Sequence, residues 1–339
     1  MIDRTFFLFP GQGAQYPGMA LDLLESASRG GYGERLKNLF SLASEIYGKD
    51  MAALLGSIDP DSLKRTDVSQ PAITLANLAS AAYLSENGIK PAGCAGFSLG
   101  EYAALAVAGV ITEEDCFTLV TQRGKAMQAA VNQMEAAGKE SGGAKVPGMA
   151  AVMGLAPEKV EALISEWKTG DNPDLKDLYA ANMNSPKQTA VGGTAKALTD
   201  AEALFMAAGA RRYVRLQVNC PFHTPHLAGA AEEFRYFLEK VVFNDPQIPL
   251  YSNVSGKRIS SGEEAKKMAL LQITSAVRWF DEETVIGAVG GIDCLLEAGP
   301  GKVLQGLWKD TGNALPCYAA GTAADVEKLF AQNEDRQCA

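Results

Sequence analysis

Gly96-Phe97-Ser98-Leu99-Gly100 lies between an apolar approach, Pro91 to Ala95, and a helix-forming run, Glu101 to Ala108. This G-x-S-x-G pentapeptide is the sequence of a nucleophile elbow, a sharp turn from strand into helix. Small residues flank the serine because the turn forces it into a strained backbone conformation in which neighbouring side chains would collide. Ser98 is then expected at a helix N-terminus, exposed above a sheet, where the helix dipole and the N–H of Leu99 can stabilise an oxyanion. The same five residues also suit an ordinary strand-to-helix turn that happens to contain a serine, so the rest of the chain must decide.

Upstream, Phe6 to Phe9 is fully apolar and ends at Pro10 and the loop Gly11-Gln12-Gly13-Ala14-Gln15. It reads as a buried parallel strand feeding a functional turn. The loop is no dinucleotide fingerprint, because the third glycine of that motif would fall at Tyr16. Helical patterns cover about 34–47 and 71–86, the second capped by Ser69 with Pro71 in its first turn. A helix follows the elbow to Ala108, where Gly109 stops it. Another runs from about Glu113, behind a Thr112 cap, to about Met134 and carries Arg123.

From Ala136 to Lys145 the composition is that of a flexible connector. Then come a strand (149–153), a helix (157–168), two strands (178–182 and 189–192), a helix (195–208) and a strand (212–217), in the split β-α-β order of a ferredoxin-like domain. The remainder returns to helices near 225–240, 263–276 and 281–289, strands at 249–252 and 294–297, and a helix from about Lys302. The expected fold is α/β. A hydrolase-like large domain with a mainly parallel sheet, from residues 1–132 and 208–339, carries an inserted ferredoxin-like small domain, 133–207.

Composition narrows the function. With 339 residues, 47% hydrophobic and 21% charged, the chain can build such a large domain with its insertion. A net charge of −9 argues against a general nucleic-acid binder. No apolar stretch approaches a membrane span, and Met1-Ile2-Asp3-Arg4 passes directly into an apolar strand without the pattern of a secretory signal, so a cytoplasmic location is expected. The six cysteines, at 94, 116, 220, 294, 317 and 338, lack paired spacing and suit reduced thiols.

A catalytic serine needs a base, and the only histidines are His223 and His226, in Cys220-Pro221-Phe222-His223-Thr224-Pro225-His226. A metal site would need a third ligand, and Pro225 disfavours the helix that would space the pair, so no metal is expected. A hydrolase triad would place its acid between Ser98 and the histidine. The acidic candidates before His223 (Asp171, Asp174, Asp177 and Asp200) fall in the expected insertion, which favours a Ser-His dyad whose imidazole is oriented by a backbone carbonyl. Arg123 has apolar Val120 and Met127 on its helical face and therefore needs an anion. Helix geometry favours an internal salt bridge over a substrate carboxylate.

These segments together resemble one family, the malonyl-CoA:acyl-carrier-protein transacylases and related acyltransferase domains of fatty-acid and polyketide synthases. The matching stretches are F-L-F-P-G-Q-G-A-Q-Y-P-G-M at 7–19, G-F-S-L-G-E-Y-A-A-L at 96–105, Q-R-G at 122–124 and N-M-N-S-P at 182–186. They continue with P-F-H-T-P at 221–225, Y-S-N-V at 251–254, Q-I-T-S-A-V-R-W at 272–279 and E-A-G-P-G-K-V-L at 297–304.

The resemblance implies a ping-pong transfer of malonyl from malonyl-CoA to the phosphopantetheine thiol of an acyl carrier protein. Ser98 would be the nucleophile, His223 the base, and the backbone N–H groups of Gln12 and Leu99 the oxyanion hole. Arg123 would hold the malonyl carboxylate, the Gln272 carbonyl would orient His223, and Asn184 would face the cleft from the small domain. Phe222 resembles the malonyl-selective pattern in which a bulky ring leaves no room for an α-methyl. No cofactor is implied, and a monomer is expected. The chain departs from the family at Phe97, where most members have histidine, and at His226, where an apolar residue is common. Lys187, Arg211, Arg212 and Lys302 are candidate docking charges for the acidic carrier. Rival readings are a polyketide-synthase acyltransferase and, from another class, a serine esterase or thioesterase.

Overall fold

The computed structural model describes residues 4–57, 59–140 and 146–337. Strand β1 (Thr5–Phe9) pairs in parallel with β2 (Pro91–Gly96), in a register that sets Phe9 opposite Gly96. Every residue of β1 is buried, because packing covers both faces of the sheet. Phe7 and Phe9 enter the main core, whereas Phe6 and Leu8 join Trp279, Leu304 and Trp308 in a second cluster. Alternation along the strand thus divides four adjacent apolar residues between two layers.

A second sheet is wholly antiparallel. Strands β3 (Gly148–Met153), β4 (Leu178–Ser185), β5 (Gln188–Gly193) and β6 (Arg212–Arg215) lie in the order β4-β5-β3-β6. The helices Pro157–Thr169 and Ala195–Ala207 belong to the same unit and contribute to its separate core around Val152, Ile164, Val191 and Phe205. The chain then forms a short ribbon of β7 (Tyr251–Ser252) and β8 (Lys257–Arg258). Strands β9 (Cys294–Glu297) and β10 (Cys317–Ala319) complete the parallel sheet in the order β10-β9-β1-β2. Leu250 extends that sheet with a parallel bridge to Cys94.

Several expectations need correction. The first buried helix spans Thr66–Glu86, with Pro71 inside it. Its start is set from a distance: Gln128 Oε1 accepts the Thr66 N–H at 2.8 Å, a cap that local spacing cannot reveal. The helix carrying Arg123 spans Glu113–Glu140, so the expected boundary at 133 falls inside it. Ala136 to Glu140 continue that helix instead of forming a connector, and 141–145 lie outside the described residues. The antiparallel sheet takes its fourth strand from Arg212–Arg215, beyond the expected boundary at 207, because β6 pairs with β3. The helices Leu21–Arg29, Met51–Leu55 and Ala323–Gln337 and strand β10 add to the expected elements.

Among the described residues, no helix is long and apolar enough to cross a membrane. Cys94, Cys116, Cys220 and Cys317 are thiols, and Cys338 lies outside the described residues.

The antiparallel sheet is tied through backbone to the segment that carries Val277. Met183 donates to the Val277 carbonyl at 2.8 Å, and Val277 donates to the Ala181 carbonyl at 2.9 Å. Replacing Val277 with proline removes that second donor and leaves a buried carbonyl without its partner, so Val277→Pro should cost about 1–3 kcal/mol. Chemical denaturation and hydrogen exchange at Met183 would measure it. Unchanged exchange along β4 would mean that side-chain packing alone holds the units together.

Candidate active site

Because β1 and β2 run in parallel as neighbours, the loops leaving their carboxyl ends emerge side by side. That edge is where open α/β sheets place ligands. Ser98 occupies the turn after β2 with φ 51°, a left-handed conformation seldom adopted by a residue with a side chain. A Cβ at Gly96 would run into the backbone of Gly100, and one at Gly100 into the Phe9 carbonyl oxygen. Both glycines are therefore required by close backbone approach. The loop after β1 presses on the same turn, with Gly11 against the Phe97 carbonyl, and so brings Gln12 beside Ser98.

Ser98 Oγ lies 2.7 Å from His223 Nε2, and His223 Nδ1 lies 2.8 Å from the Gln272 carbonyl oxygen. A carbonyl only accepts, so Nδ1 carries the proton and Nε2 offers its lone pair to the serine. His223 is buried and also left-handed, at φ 58°. Burial and then the nearby Arg123 charge push its pKa down to about 4, which keeps the imidazole neutral near pH 7. The arrangement is a serine hydroxyl hydrogen-bonded to an imidazole whose other nitrogen is held by a backbone carbonyl.

Arg123 is 1% exposed, yet among the described residues no carboxylate comes within ion-pair distance of it. The internal salt bridge favoured by helix geometry is therefore absent. Arg123 Nη2 donates to Gln272 Oε1 at 3.1 Å, the guanidinium lies 5.4 Å from the centre of the Tyr102 ring, and Nε is buried without a hydrogen-bond partner. The neighbouring carboxyl group, Glu101, is separated from it by the Gln272 amide, whose Nε2 donates to Glu101 Oε2 at 2.9 Å. Only the three-dimensional path of the Gln272 turn reveals this insertion.

Sequence reasoning missed the residues that brace the elbow. Asn253 Oδ1 accepts the Ser98 N–H at 2.6 Å, while its Nδ2 donates to the Gly96 carbonyl and to Glu282 Oε1, each at 2.7 Å. Its own N–H donates to Glu101 Oε2 at 2.9 Å. Gln272 Nε2 also donates to the Ser98 carbonyl at 2.9 Å. The one available signal was Glu101, a charge set in the otherwise apolar helix Gly100–Val107.

A cleft of about 430 Å³ joins these groups, with Gln12, Ser98, Arg123, Asn184, Phe222 and His223 among its walls. Leu99 lies buried directly behind Ser98. Asn184 Oδ1 is buried without a partner, and half-buried Phe222 packs on Met149, Ala181 and Ala190 of the antiparallel sheet. Phe97 meets Trp279 edge-on at 5.5 Å. His226 packs against the Tyr179 ring at 5.8 Å. Exposed Lys187, Arg211 and Arg212 gather at the end of β5, β3 and β6, where Gly154 donates to the Lys187 carbonyl and Arg211 to the Met153 carbonyl. Lys302 pairs with Asp325 at 3.8 Å.

Gly100→Ala tests the elbow directly. The added methyl must push the turn off β1, which should cost about 1–3 kcal/mol and slow Ser98 labelling by a fluorophosphonate. Denaturation midpoints and labelling rates report the two effects. Wild-type values for both would show that the turn has slack.

The sequence profile of the acyl transferase domain matches residues 6–330. A malonyl CoA-acyl carrier protein transacylase of Bacillus subtilis is 33% identical over 326 residues, covering 96% of each chain. The acyl carrier protein S-malonyltransferase of Vibrio cholerae superposes with a TM-score of 0.85 at 33% identity, covering 96% of this chain and 100% of the other. A malonyl-transacylase solved in complex with its type II polyketide synthase acyl-carrier protein gives 0.84 at 32% identity, covering 97% and 100%. The elbow, its histidine and the parallel sheet thus sit in a chain that belongs to the acyl transferase domain family, among the malonyl CoA-acyl carrier protein transacylases.

Proposed function

We propose that the chain moves a malonyl group from malonyl-CoA to the phosphopantetheine thiol of an acyl carrier protein, in fatty-acid biosynthesis, through a malonyl ester of Ser98. The observation that carries this reading is the buried Arg123, which lacks an ion-paired carboxylate and lines the same cleft as the Ser98–His223 pair. A guanidinium held there awaits a planar anion, and a malonyl thioester brings a carboxylate to it.

The chemistry balances within the site. Ser98 Oγ attacks the thioester carbonyl while its proton passes to His223 Nε2, and the N–H groups of Gln12 and Leu99 donate to the oxyanion. Collapse breaks the C–S bond, and His223 returns the proton to the leaving thiolate. In the second half, the carrier thiol gives its proton to His223 and attacks the ester, and Ser98 regains a proton as it leaves. Base assistance of this kind contributes about 10²- to 10⁴-fold, and one oxyanion donor about 10²- to 10³-fold.

The finer assignments follow the same reading. The Gln272 carbonyl orients His223, Asn184 faces the acyl group from the smaller unit, and Phe222 crowds an α-methyl. We read that unit as ferredoxin-like, from its β-α-β-β-α-β order, and the larger one as hydrolase-like. Lys187, Arg211 and Arg212 form a positive edge for an acidic carrier. The complexed relative supports an acyl-carrier partner.

Mass spectrometry tests the proposal. Malonyl-CoA should load malonyl on Ser98, and added holo carrier protein should remove it onto its own thiol. Release as free malonate without transfer would instead favour the esterase or thioesterase reading. Arg123→Ala should lower kcat/KM for malonyl loading by on the order of 10²-fold while leaving acetyl loading far less affected. Equal losses for both acyl groups would make the arginine structural.

A further inference from the structure

We propose that Glu101 is the resting counter-charge of Arg123, relayed through the Gln272 side-chain amide, and that arrival of the substrate carboxylate makes Glu101 take up a proton. The inference rests on the reading of Arg123 given above. It assigns Glu101 as a specificity-determining positioning residue, one that acts through the arginine without touching the substrate.

The relay is continuous. Arg123 donates to Gln272 Oε1, and the same amide donates through Nε2 to Glu101 Oε2. An amide passes polarity in this way because one end accepts while the other donates. Glu101 Oε2 takes a second N–H from Asn253, whereas Oε1 is buried without a partner. A carboxyl oxygen so placed carries negative charge poorly and loses that cost on protonation.

The groups facing Glu101 define the charge balance. Arg123 comes from the helix Glu113–Glu140, and Tyr102 is next in the chain. His223 reaches Gln272 from the segment after β6. Glu282 comes from the helix Trp279–Gly287, with Asp281 and Glu283 beside it. Asn253 bridges the two carboxyl groups, donating to Glu101 by its backbone and to Glu282 by its side chain. Burial and then the Glu101 charge push Glu282 well above the carboxylate range. Burial raises Glu101 to about 7, against the opposing pull of its two N–H donors and Arg123. The guanidinium thus faces the Glu101 carboxyl through the Gln272 amide in the resting site. A malonyl carboxylate adds a second anion to the same arginine, and protonation of Glu101 restores the balance.

The sign follows from linkage. A group whose pKa rises on binding favours binding at low pH, and the advantage is lost as pH climbs through its bound-state value. The test is the ratio of kcat/KM for malonyl-CoA over acetyl-CoA between pH 7 and 9, where the leaving thiol and other effects common to both donors cancel. In the wild type this ratio should fall with pH, by a total of about tenfold for each pKa unit by which the substrate lifts Glu101. It should be flat in Glu101→Gln and keep its slope in Glu282→Gln. A flat wild-type ratio, or a slope that survives Glu101→Gln, overturns the proposal. Should Glu101→Gln fail to fold, calorimetry of Ser98→Ala protein in two buffers of different ionisation enthalpy decides. Near pH 8, binding of malonyl-CoA should take up more protons than binding of acetyl-CoA, and an equal uptake would overturn the proposal. Failure of the Arg123 reading would look different: Arg123→Ala would leave the ratio unchanged at every pH.

Discussion

Two buried amides, Asn253 and Gln272, hold the elbow from behind, and the geometry of the cleft depends on them. Asn253 takes the Ser98 N–H and returns a hydrogen bond to the Gly96 carbonyl, so one side chain spans the turn. Gln272 uses its carbonyl for His223 and its side chain for Arg123, Glu101 and the Ser98 carbonyl. Such groups stabilise only when satisfied, because each lost partner leaves a desolvated dipole worth about 1–3 kcal/mol. Satisfied, they place Ser98, His223 and Arg123 relative to one another. Removing either amide would disturb all three together.

The parallel sheet supplies the frame for that network. Register between β1 and β2 puts Phe9 beside Gly96, so the Gln12 loop and the elbow leave the sheet at one level. The antiparallel unit contributes the opposite wall through Asn184 and Phe222. Its attachment includes the backbone exchange between Val277 and β4. Val277 lies five residues after Gln272, so the residue that pairs with β4 and the amide that orders the cleft floor belong to one short segment. Displacement of the wall would be felt at the base and at the arginine.

Much of this was legible in sequence, for reasons that also mark the limits. The elbow was readable because two glycines are demanded by backbone contact within five residues. Phe6 to Phe9 was readable because a strand covered on both faces needs no polar alternation. The secondary-structure order of the smaller unit could be followed because its periodic segments were well separated. Where partners lie far apart in the chain, the signal vanished. Thr66 begins its helix by donating its N–H to Gln128, and Ala136 to Glu140 extend a helix that composition alone broke early. The same limit hid Asn253, which sits 155 residues from the serine it braces. Arg123 was correctly sensed as buried and in need of an anion, but the amide standing between it and Glu101 made the internal ion pair a wrong expectation.

Strain at the elbow explains why so much of the surroundings is devoted to it. Ser98 and His223 both hold positive φ, a conformation that costs about 1–3 kcal/mol for a residue with a side chain and persists only where neighbours over-determine it. Two independent routes run from the elbow to the helix Trp279–Gly287. One is polar, through Asn253 to Glu282; the other is apolar, through Phe97 edge-on to Trp279, whose indole N–H donates to Glu283 at 2.8 Å. Phe97 thus sets a packed ring beside the serine, while His223 lies within hydrogen-bond reach of Ser98 Oγ. Because packing and hydrogen bonding meet on the same helix, neither route can relax without opposing the other, and the serine stays in the conformation that exposes it to the cleft.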